Sequence, residues 1–188
     1  MRIIAGKYKG RKIDFPKHIR PTQDKVRQAV FNVLRDIVKG ARVLDLFAGS
    51  GAMGLESLSR GASEVYFIDA DRHCSFIIAK NIEVLGLVEQ LGDEVFNYIN
   101  DAFRAIEKLA HSKARFDLVF IDPPYHEDLA KKALKTLGDS GILAPRSFVV
   151  VEHAKSDELG PMPQGLVKIK ETDYGDIKVS FFQLGARS

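Results

Sequence analysis

The chain has 188 residues, of which 45% are apolar and 28% charged, and its formal net charge is +3. This length and composition predict a globular protein with one main core and room for a small extension. No apolar run is long enough to span a membrane, and the N-terminus does not resemble a signal peptide. Its one cysteine, Cys74, excludes an internal disulfide and is interpreted as a packing or surface residue. We therefore expect a cytoplasmic protein.

The charge is distributed unevenly along the chain. Residues 1–42 contain twelve Lys and Arg against three Asp and Glu, a net charge of +9, whereas residues 43–188 contain sixteen against twenty-two, a net charge of −6. A basic N-terminal part on an acidic body is typical of a protein with a polyanionic partner. A solvated basic tail without a partner would give the same composition.

The first predicted element is a short β-hairpin in residues 1–20. Apolar and basic residues alternate there, Gly6 and Gly10 mark turns, and Pro16 and Pro21 end the region. Alternation would place many of the basic side chains on one face and the apolar ones against the body.

A helix is predicted next. Thr22 is a plausible N-cap, Asp24 lies in the first turn, and Gly40 would end the helix. One apolar stripe at helical spacing consists of Val26, Val30, Val33, Leu34 and Ile37. We interpret residues 1–40 as a basic extension with a hairpin and a helix, suited to a polyanionic partner, and residues 41–188 as the main domain.

From residue 41 the pattern alternates between strands and helices. The predicted strands are 42–47, 64–69, 94–99, 116–121 and 147–153, and the predicted helices are 51–60, 72–86, 101–111 and 127–138. This alternation predicts βαβ units and a parallel sheet. The last segment alternates around residues 173–176 and predicts an antiparallel hairpin. The predicted fold is therefore α/β, with a doubly wound, mostly parallel sheet and a C-terminal antiparallel hairpin.

A glycine-rich turn follows the first of these strands. Gly49, Gly51 and Gly54 have the G-x-G-x-x-G spacing between a strand and a helix, and Asp69 ends the next strand. The glycines allow a ligand to approach the backbone closely, and a carboxylate at that distance is placed to bind ribose hydroxyls. Asp45 precedes the turn and would repel a pyrophosphate but attract a positively charged ligand. S-adenosylmethionine has a ribose and positive charge without phosphate, and is the predicted cofactor.

Asp101 follows the third predicted strand and has two plausible roles. It could accept a hydrogen bond from the adenine amino group of the cofactor, or it could cap the next helix. The complete predicted cofactor site consists of Asp45, Phe47, Gly49, Ser50, Gly51, Asp69, Ala70, Asp101 and Ala102. The five histidines are scattered, so no metal site is predicted.

An acidic, proline-rich corner follows the fourth predicted strand. Asp122 is followed by Pro123, Pro124 and Tyr125, and neither proline has a backbone N–H. The Asp122 carboxylate and the Pro123 carbonyl could accept the two hydrogens of an exocyclic amino group on a base. Tyr125 could stack on that base. These four residues are the predicted catalytic site for transfer of a methyl group to nitrogen.

Several of these motifs together resemble one enzyme family. The chain is similar over nearly its whole length to the RsmD-type 16S ribosomal RNA guanine-N2 methyltransferases, which depend on S-adenosylmethionine. The segments that carry the resemblance are "RIIAGKYKGRKI", "RPTQDKVRQAVFNVL", "LDLFAGSGAMGLESLSRGA", "FIDPPY" and "YGDIKVSFF". The resemblance implies a Rossmann-like class I methyltransferase fold and methylation of one guanine in an assembled or assembling small ribosomal subunit. It also implies that Arg20 and Thr22 approach the active site.

The predicted RNA-binding residues are Lys7, Lys9, Arg11, Arg20 and Thr22. Two other functions fit part of the pattern. A DNA adenine-N6 or cytosine-N4 methyltransferase also uses an Asp-Pro-Pro-Tyr motif, although this short chain has little room for a sequence-reading domain. A non-catalytic RNA-binding factor for ribosome assembly would explain the basic N-terminal part but not the glycine turn or Asp122.

Overall fold

The computed structural model describes residues 1–16, 24–124 and 128–185. Five helices and seven strands are described in these ranges. The helices are α1 (Asp24–Leu34), α2 (Ala52–Ser59), α3 (Arg72–Leu85), α4 (Ala102–His111) and α5 (Leu129–Ser140). The strands are β1 (Arg42–Leu46), β2 (Glu64–Asp69), β3 (Val95–Ile99), β4 (Phe116–Ile121), β5 (Leu143–Ala154), β6 (Leu166–Tyr174) and β7 (Ile177–Leu184). None of the described helices is both long and apolar enough to cross a membrane.

The seven strands form one mixed sheet with the order β3-β2-β1-β4-β5-β7-β6. The pairs β1–β2, β2–β3 and β4–β5 are parallel, whereas β5–β7 and β6–β7 are antiparallel. The predicted doubly wound sheet with an antiparallel C-terminal hairpin is thus confirmed. The chain also divides into two compact units, Met1–Asp101 and a second unit that begins at Ala102. The predicted functional division at residue 40 stays a prediction.

In the first unit, close packing of α2 on the sheet depends on a glycine. A Cβ atom added to Gly54 would lie 2.3 Å from the ring of Phe67 on β2, far inside van der Waals contact. The third glycine of the predicted turn therefore serves the contact between helix and strand. Tight packing at this point fixes where α2 begins relative to the carboxyl ends of β1 and β2.

The N-terminal hairpin is smaller than predicted. One bridge joins Arg2 to Lys12, and the buried side chains of Ile3 and Ile13 hold the segment against the first unit. Both predicted glycine turns have positive φ, +82° at Gly6 and at Gly10. Phe15 remains 41% exposed, so the alternation only partly separates apolar from basic side chains.

Helix α1 ends at Leu34, before the predicted end at Gly40. Arg35 has a φ of +41°, and a 3₁₀ helix continues from Arg35 to Val38. Val26, Val30 and Leu34 of the predicted stripe are buried, but Val33 and Ile37 are only half-buried. Arg27 and Phe31 are buried instead. The predicted cap Thr22 lies outside the described residues.

In the second unit, β5 begins four residues earlier than predicted. Its register with β4 shifts between Phe116 and Leu118, which pair with Leu143 and Phe148. Arg146 lies within this irregular stretch and has a φ of +64°. The C-terminal hairpin closes through Gly175, whose φ of +67° suits a two-residue turn between paired Tyr174 and Ile177.

Candidate active site

The glycine turn folds tightly between β1 and α2. Phe47, Gly49 and Gly51 have φ values of +60°, +56° and +75°, and the Gly51 N–H donates to the Ala48 carbonyl over 2.7 Å. A Cβ added to Gly49 would meet no atom within 4 Å, so the backbone borders open space there. The turn therefore offers a place where a ligand can lie directly against the main chain.

Asp69 ties this turn to the end of β2. Its Oδ2 accepts from the Gly49 N–H over 2.8 Å, and its Oδ1 accepts from the Asp71 N–H over 2.9 Å. The side chain is half-buried. An ionised carboxylate has about four lone-pair positions, so each oxygen can accept a further hydrogen bond from a hydroxyl. Asp69, which the sequence predicts to bind the ribose hydroxyls, thus lies beside the open face of Gly49.

Asp45 lies beneath the turn and is only 2% exposed. Its Oδ2 accepts from the Gly54 N–H over 2.9 Å, which fixes the first turn of α2. Burial raises the pKa of the Asp45 carboxyl to about 8, the hydrogen bond from Gly54 lowers it and the nearby charge of Asp69 raises it further. Without a ligand the carboxyl is therefore mostly neutral at pH 7. A cation nearby would favour its ionised form.

The end of β3 lies beside the end of β2. The Asn100 N–H donates to the Asp69 carbonyl over 2.9 Å. Asp101 is exposed and directly precedes α4, which begins at buried Ala102. Both alternatives for Asp101, adenine recognition and the start of a helix, therefore stay predictions. Ala70 is exposed after β2, and Ser50 is buried within the turn.

The proline corner lies in the second unit, directly after β4. Leu118, Val119 and Ile121 are almost fully buried, so the strand is rigidly packed up to the corner. Asp122 is half-buried, Pro123 is buried and Pro124 is exposed. Tyr125 lies outside the described residues. The described part of the corner offers a carboxylate and carbonyl groups next to two residues without an N–H donor.

The basic N-terminal segment, residues 1–16 of the described chain, carries exposed charged side chains. Lys7, Lys9 and Arg11 are all exposed, and none of the three forms an ion pair with any other described residue. Lys7 Nζ lies 5.3 Å from the ring centre of Tyr8. Arg11 donates to the Val84 carbonyl of α3 over 3.3 Å. The predicted RNA residues Arg20 and Thr22 lie outside the described residues.

Sequence reasoning missed a buried acid that holds the N-terminal segment in place. The Glu56 side chain on α2 is fully buried and accepts from the N–H groups of Ile4 and Ala5 over 2.8 and 3.0 Å. Arg60 donates to it over 2.8 Å, and the buried Arg27 guanidinium lies 3.8 Å away. No local pattern identifies such an acid, because its backbone partners lie more than fifty residues away.

Sequence reasoning also missed Asn81 on α3. Its side chain is buried and bonds to Asp14 of the N-terminal segment and to Ser50 of the glycine turn. In the described part of the chain, no group of three or more His, Cys, Asp and Glu side chains could hold a metal ion.

Comparison with known proteins identifies a family. Residues 1–183 match the family model described as "Conserved hypothetical protein 95". The chain is 36% identical to the YlbH protein of Bacillus subtilis, over 97% of this chain and 98% of that protein. It is 34% identical to Ribosomal RNA small subunit methyltransferase D of Escherichia coli, over 100% of this chain and 91% of that protein.

The same likeness extends to three dimensions. The solved structure of the yhhF protein of Escherichia coli superimposes on this chain with a TM-score of 0.87, at 32% identity. The match covers 100% of this chain and 99% of that one. It includes both compact units and confirms the predicted fold and the predicted family resemblance.

Proposed function

Because the chain belongs to the family of ribosomal RNA small subunit methyltransferase D, we propose that it methylates the N2 amino group of a guanine in 16S rRNA. The methyl donor is S-adenosylmethionine, and the substrate is the small ribosomal subunit, assembled or assembling, in the cytoplasm. The observation that carries this proposal is the hydrogen bond between Asp69 and the Gly49 N–H. It sets a carboxylate beside open backbone at the end of a parallel strand.

The groups around the glycine turn suit this donor. Asp69 has lone pairs left for two ribose hydroxyls, and the open face of Gly49 leaves space for the ligand. Buried Asp45 has a raised pKa and is ionised more readily when a cation binds near it. S-adenosylmethionine supplies an electrophilic methyl group on a sulfonium. A phosphate-bearing cofactor would instead place negative charge beside the Asp69 carboxylate.

The proline corner suits the acceptor. The exocyclic amino group of guanine has two N–H donors, and its lone pair is delocalised into the ring. The Asp122 carboxylate and the Pro123 carbonyl accept those two hydrogens, which holds the nitrogen in place and lets it become pyramidal. As the new N–C bond forms, the S–CH3 bond of the sulfonium would break and its electron pair would stay on sulfur, so that neutral S-adenosylhomocysteine leaves. The nitrogen then becomes positive, and Asp122 stabilises that charge until a proton leaves to water. Donors at this corner would compete, and prolines supply none.

The basic N-terminal segment suits an RNA partner. Lys7, Lys9 and Arg11 are exposed on a segment that buried Ile3 and Ile13 anchor to the first unit. Exposed cations without ion-pair partners among the described residues remain available for phosphates. The segment therefore provides phosphate contacts that position the RNA, while the proline corner selects the amino group.

The test is methyl transfer in vitro to small ribosomal subunits that lack the modification, with labelled S-adenosylmethionine. The wild-type protein should form N2-methylguanosine in 16S rRNA. Asp122→Ala should abolish transfer but keep cofactor affinity within a few-fold, because Asp122 contacts the amino group and not the ribose. Asp128→Ala, which removes an exposed acid beyond the corner, is the matched control and should retain activity.

Three results would contradict the proposal. Label in adenine or cytosine of DNA would favour a DNA amino-methyltransferase. RNA binding without any binding of S-adenosylmethionine would favour a non-catalytic assembly factor. Wild-type turnover by Asp122→Ala would remove that residue from the active site.

A further inference from the structure

One buried side chain bridges the basic N-terminal segment and the glycine turn. Asn81 on α3 is 1% exposed. Its Oδ1 accepts from the Asp14 N–H over 2.8 Å, and its Nδ2 donates to the Asp14 carbonyl over 2.9 Å. The same Nδ2 donates to the Ser50 carbonyl over 3.0 Å. Both backbone groups of Asp14 are thus satisfied by one amide, which also reaches the turn.

The chemistry of this bridge specifies asparagine. An amide offers one acceptor oxygen and two N–H donors, and here all of these are used. An aspartate of the same shape would direct an oxygen at two carbonyl oxygens. A leucine of similar volume would leave two carbonyls and one N–H without this partner. Unpaired buried polar groups are costly, so the position is specific to asparagine rather than merely polar.

The two ends of the bridge lie in functionally different segments. Asp14 belongs to the segment that carries Arg11, and Ser50 lies between Gly49 and Gly51. The other anchors of the N-terminal segment hold it elsewhere. Glu56 accepts from Ile4 and Ala5, and the Ser59 hydroxyl accepts from the Tyr8 N–H over 2.9 Å. Neither of these anchors is bonded to the glycine turn. Among the hydrogen bonds of the described residues, those of the Asn81 side chain connect residues 11–15 to the glycine turn.

We propose that Asn81 is a positioning residue that couples RNA binding on the N-terminal segment to S-adenosylmethionine binding at the glycine turn. This inference rests on the proposed function. RNA that contacts Arg11 and its neighbours restrains the Asp14 backbone, which restrains the Asn81 amide and hence the Ser50 carbonyl. RNA binding then stabilises the same arrangement of the turn that binds the cofactor, so the second ligand binds more tightly. By thermodynamic linkage the effect is reciprocal.

The experiment measures the affinity of labelled S-adenosylhomocysteine, which cannot react, with and without saturating unmodified small ribosomal subunits. The ratio of the two dissociation constants is the coupling factor. For the wild-type protein it should be at least about five, the lower end of typical allosteric coupling. In Asn81→Asp and Asn81→Leu it should fall to near one. Asp14→Ala, which keeps both backbone groups that Asn81 binds and removes only an exposed side chain, should retain the wild-type factor.

The outcomes separate this inference from the proposed function. A wild-type coupling factor of one overturns the inference whatever the variants do. A folded Asn81→Asp variant, as judged by circular dichroism, that keeps the wild-type factor also overturns it. In both cases transfer to N2 of guanine would still support the proposed function. If the wild-type protein binds no S-adenosylhomocysteine at all, the proposed function itself is wrong.

Discussion

Two carboxyl groups, one in each unit, have opposite pKa changes because their surroundings differ. Asp45 on β1 is buried with one backbone N–H donor, and burial raises the pKa of its carboxyl to about 8. Glu171 on β6 accepts from Lys168 over 2.7 Å, from Ser180 over 2.8 Å and from Lys178 over 3.1 Å. These hydrogen bonds lower the pKa of its carboxyl to about 2, Lys168 having the largest effect.

This difference separates a binding carboxyl group from a structural one. The charge of Glu171 is already compensated by protein cations, so it stabilises the C-terminal hairpin without a ligand. Asp45 has no such compensation among its described contacts, and under the proposed function the cationic cofactor would supply it. A buried acid with backbone donors and no cation thus identifies a ligand site better than an acid in a network of lysines.

Removal of the Asp69 carboxylate, which lies near Asp45, should give the largest effect on cofactor binding. Asp69→Ala should weaken S-adenosylmethionine binding by roughly ten-fold or more, because charge-assisted hydrogen bonds contribute roughly 1.5–3 kcal/mol each. Isothermal titration calorimetry measures the change. Asp71→Ala is the control. It removes the acid that accepts from the His73 N–H at the start of α3, and should cost about 1 kcal/mol of stability with affinity nearly unchanged. Unchanged affinity in Asp69→Ala would mean that the cofactor lies elsewhere.

Reversal of charge on the N-terminal segment extends the comparison to cations. Lys7, Lys9 and Arg11 form no ion pairs with described residues, unlike Lys168 and Lys178. Changing the first three to Glu should keep the fold and cofactor affinity but weaken RNA binding. The slope of log affinity against log salt should decrease in magnitude by roughly 2–3, since each phosphate contact adds about 0.7–0.9.

The matched control reverses three exposed charges near the C-terminal end of α4 and before β4, namely Lys108, Lys113 and Arg115. Both triple variants change the net charge equally, so a general effect of charge would appear in both. Titration at two ionic strengths should show a reduced slope only for the N-terminal variant. Equal RNA affinity of that variant and the wild type at every salt concentration would indicate a solubility surface without a partner.

Replacement of Asp45 tests the sign of its pKa change. The pKa of the folded carboxyl exceeds its ordinary value of 3.8, so the unfolded chain binds fewer protons between pH 4 and 8. Wild-type stability should therefore fall relative to Asp45→Asn over that range, by at most about 1.4 kcal/mol per pH unit. Urea denaturation at pH 5, 7 and 9 measures this difference. Asp45→Asn should also bind S-adenosylmethionine more weakly. A constant difference in stability across the range would show that the carboxyl is ionised throughout.

Replacement of Glu171 should give the smallest effect, with the opposite pH dependence. The pKa of the folded carboxyl lies below its ordinary value of 4.5, so its stabilising effect is present above pH 4.5 and is lost as the pH falls towards 2. Glu171→Gln should lower the free energy of unfolding at pH 7 by about 1 kcal/mol, because the pairs are partly exposed and screened. That difference should shrink by pH 3. Methyl transfer should be unaffected, and a loss of activity would contradict a purely structural role.

The sequence predicted the parallel strands and their helices well because these signals are local. β2 and β4 lie at their predicted positions, since buried runs bounded by glycine, proline and acidic residues define both ends. The end of α1 and the start of β5 were predicted wrongly. At each of these places an arginine adopts positive φ, Arg35 and Arg146, and composition does not indicate where tertiary packing imposes that conformation.

The candidate site was predictable only where function depends on spacing. The glycine turn and Asp69 follow from strand–turn–helix spacing, and the structure joins them by a hydrogen bond. Glu56 and Asn81 were not predictable, because each is a single polar residue within a helix and no local pattern indicates its partners. Their backbone partners in the N-terminal segment lie 51 to 67 residues away. Only the folded chain brings these groups together.

The most direct test of the central claim is mass mapping of nucleosides in rRNA from a strain that lacks the gene. The rRNA should lack one N2-methylguanosine in 16S rRNA. The wild-type gene should restore that nucleoside, and a gene with Asp122→Ala should not. A complete set of 16S rRNA modifications in the deletion strain, or a missing methyl group on another base, would contradict the proposed function.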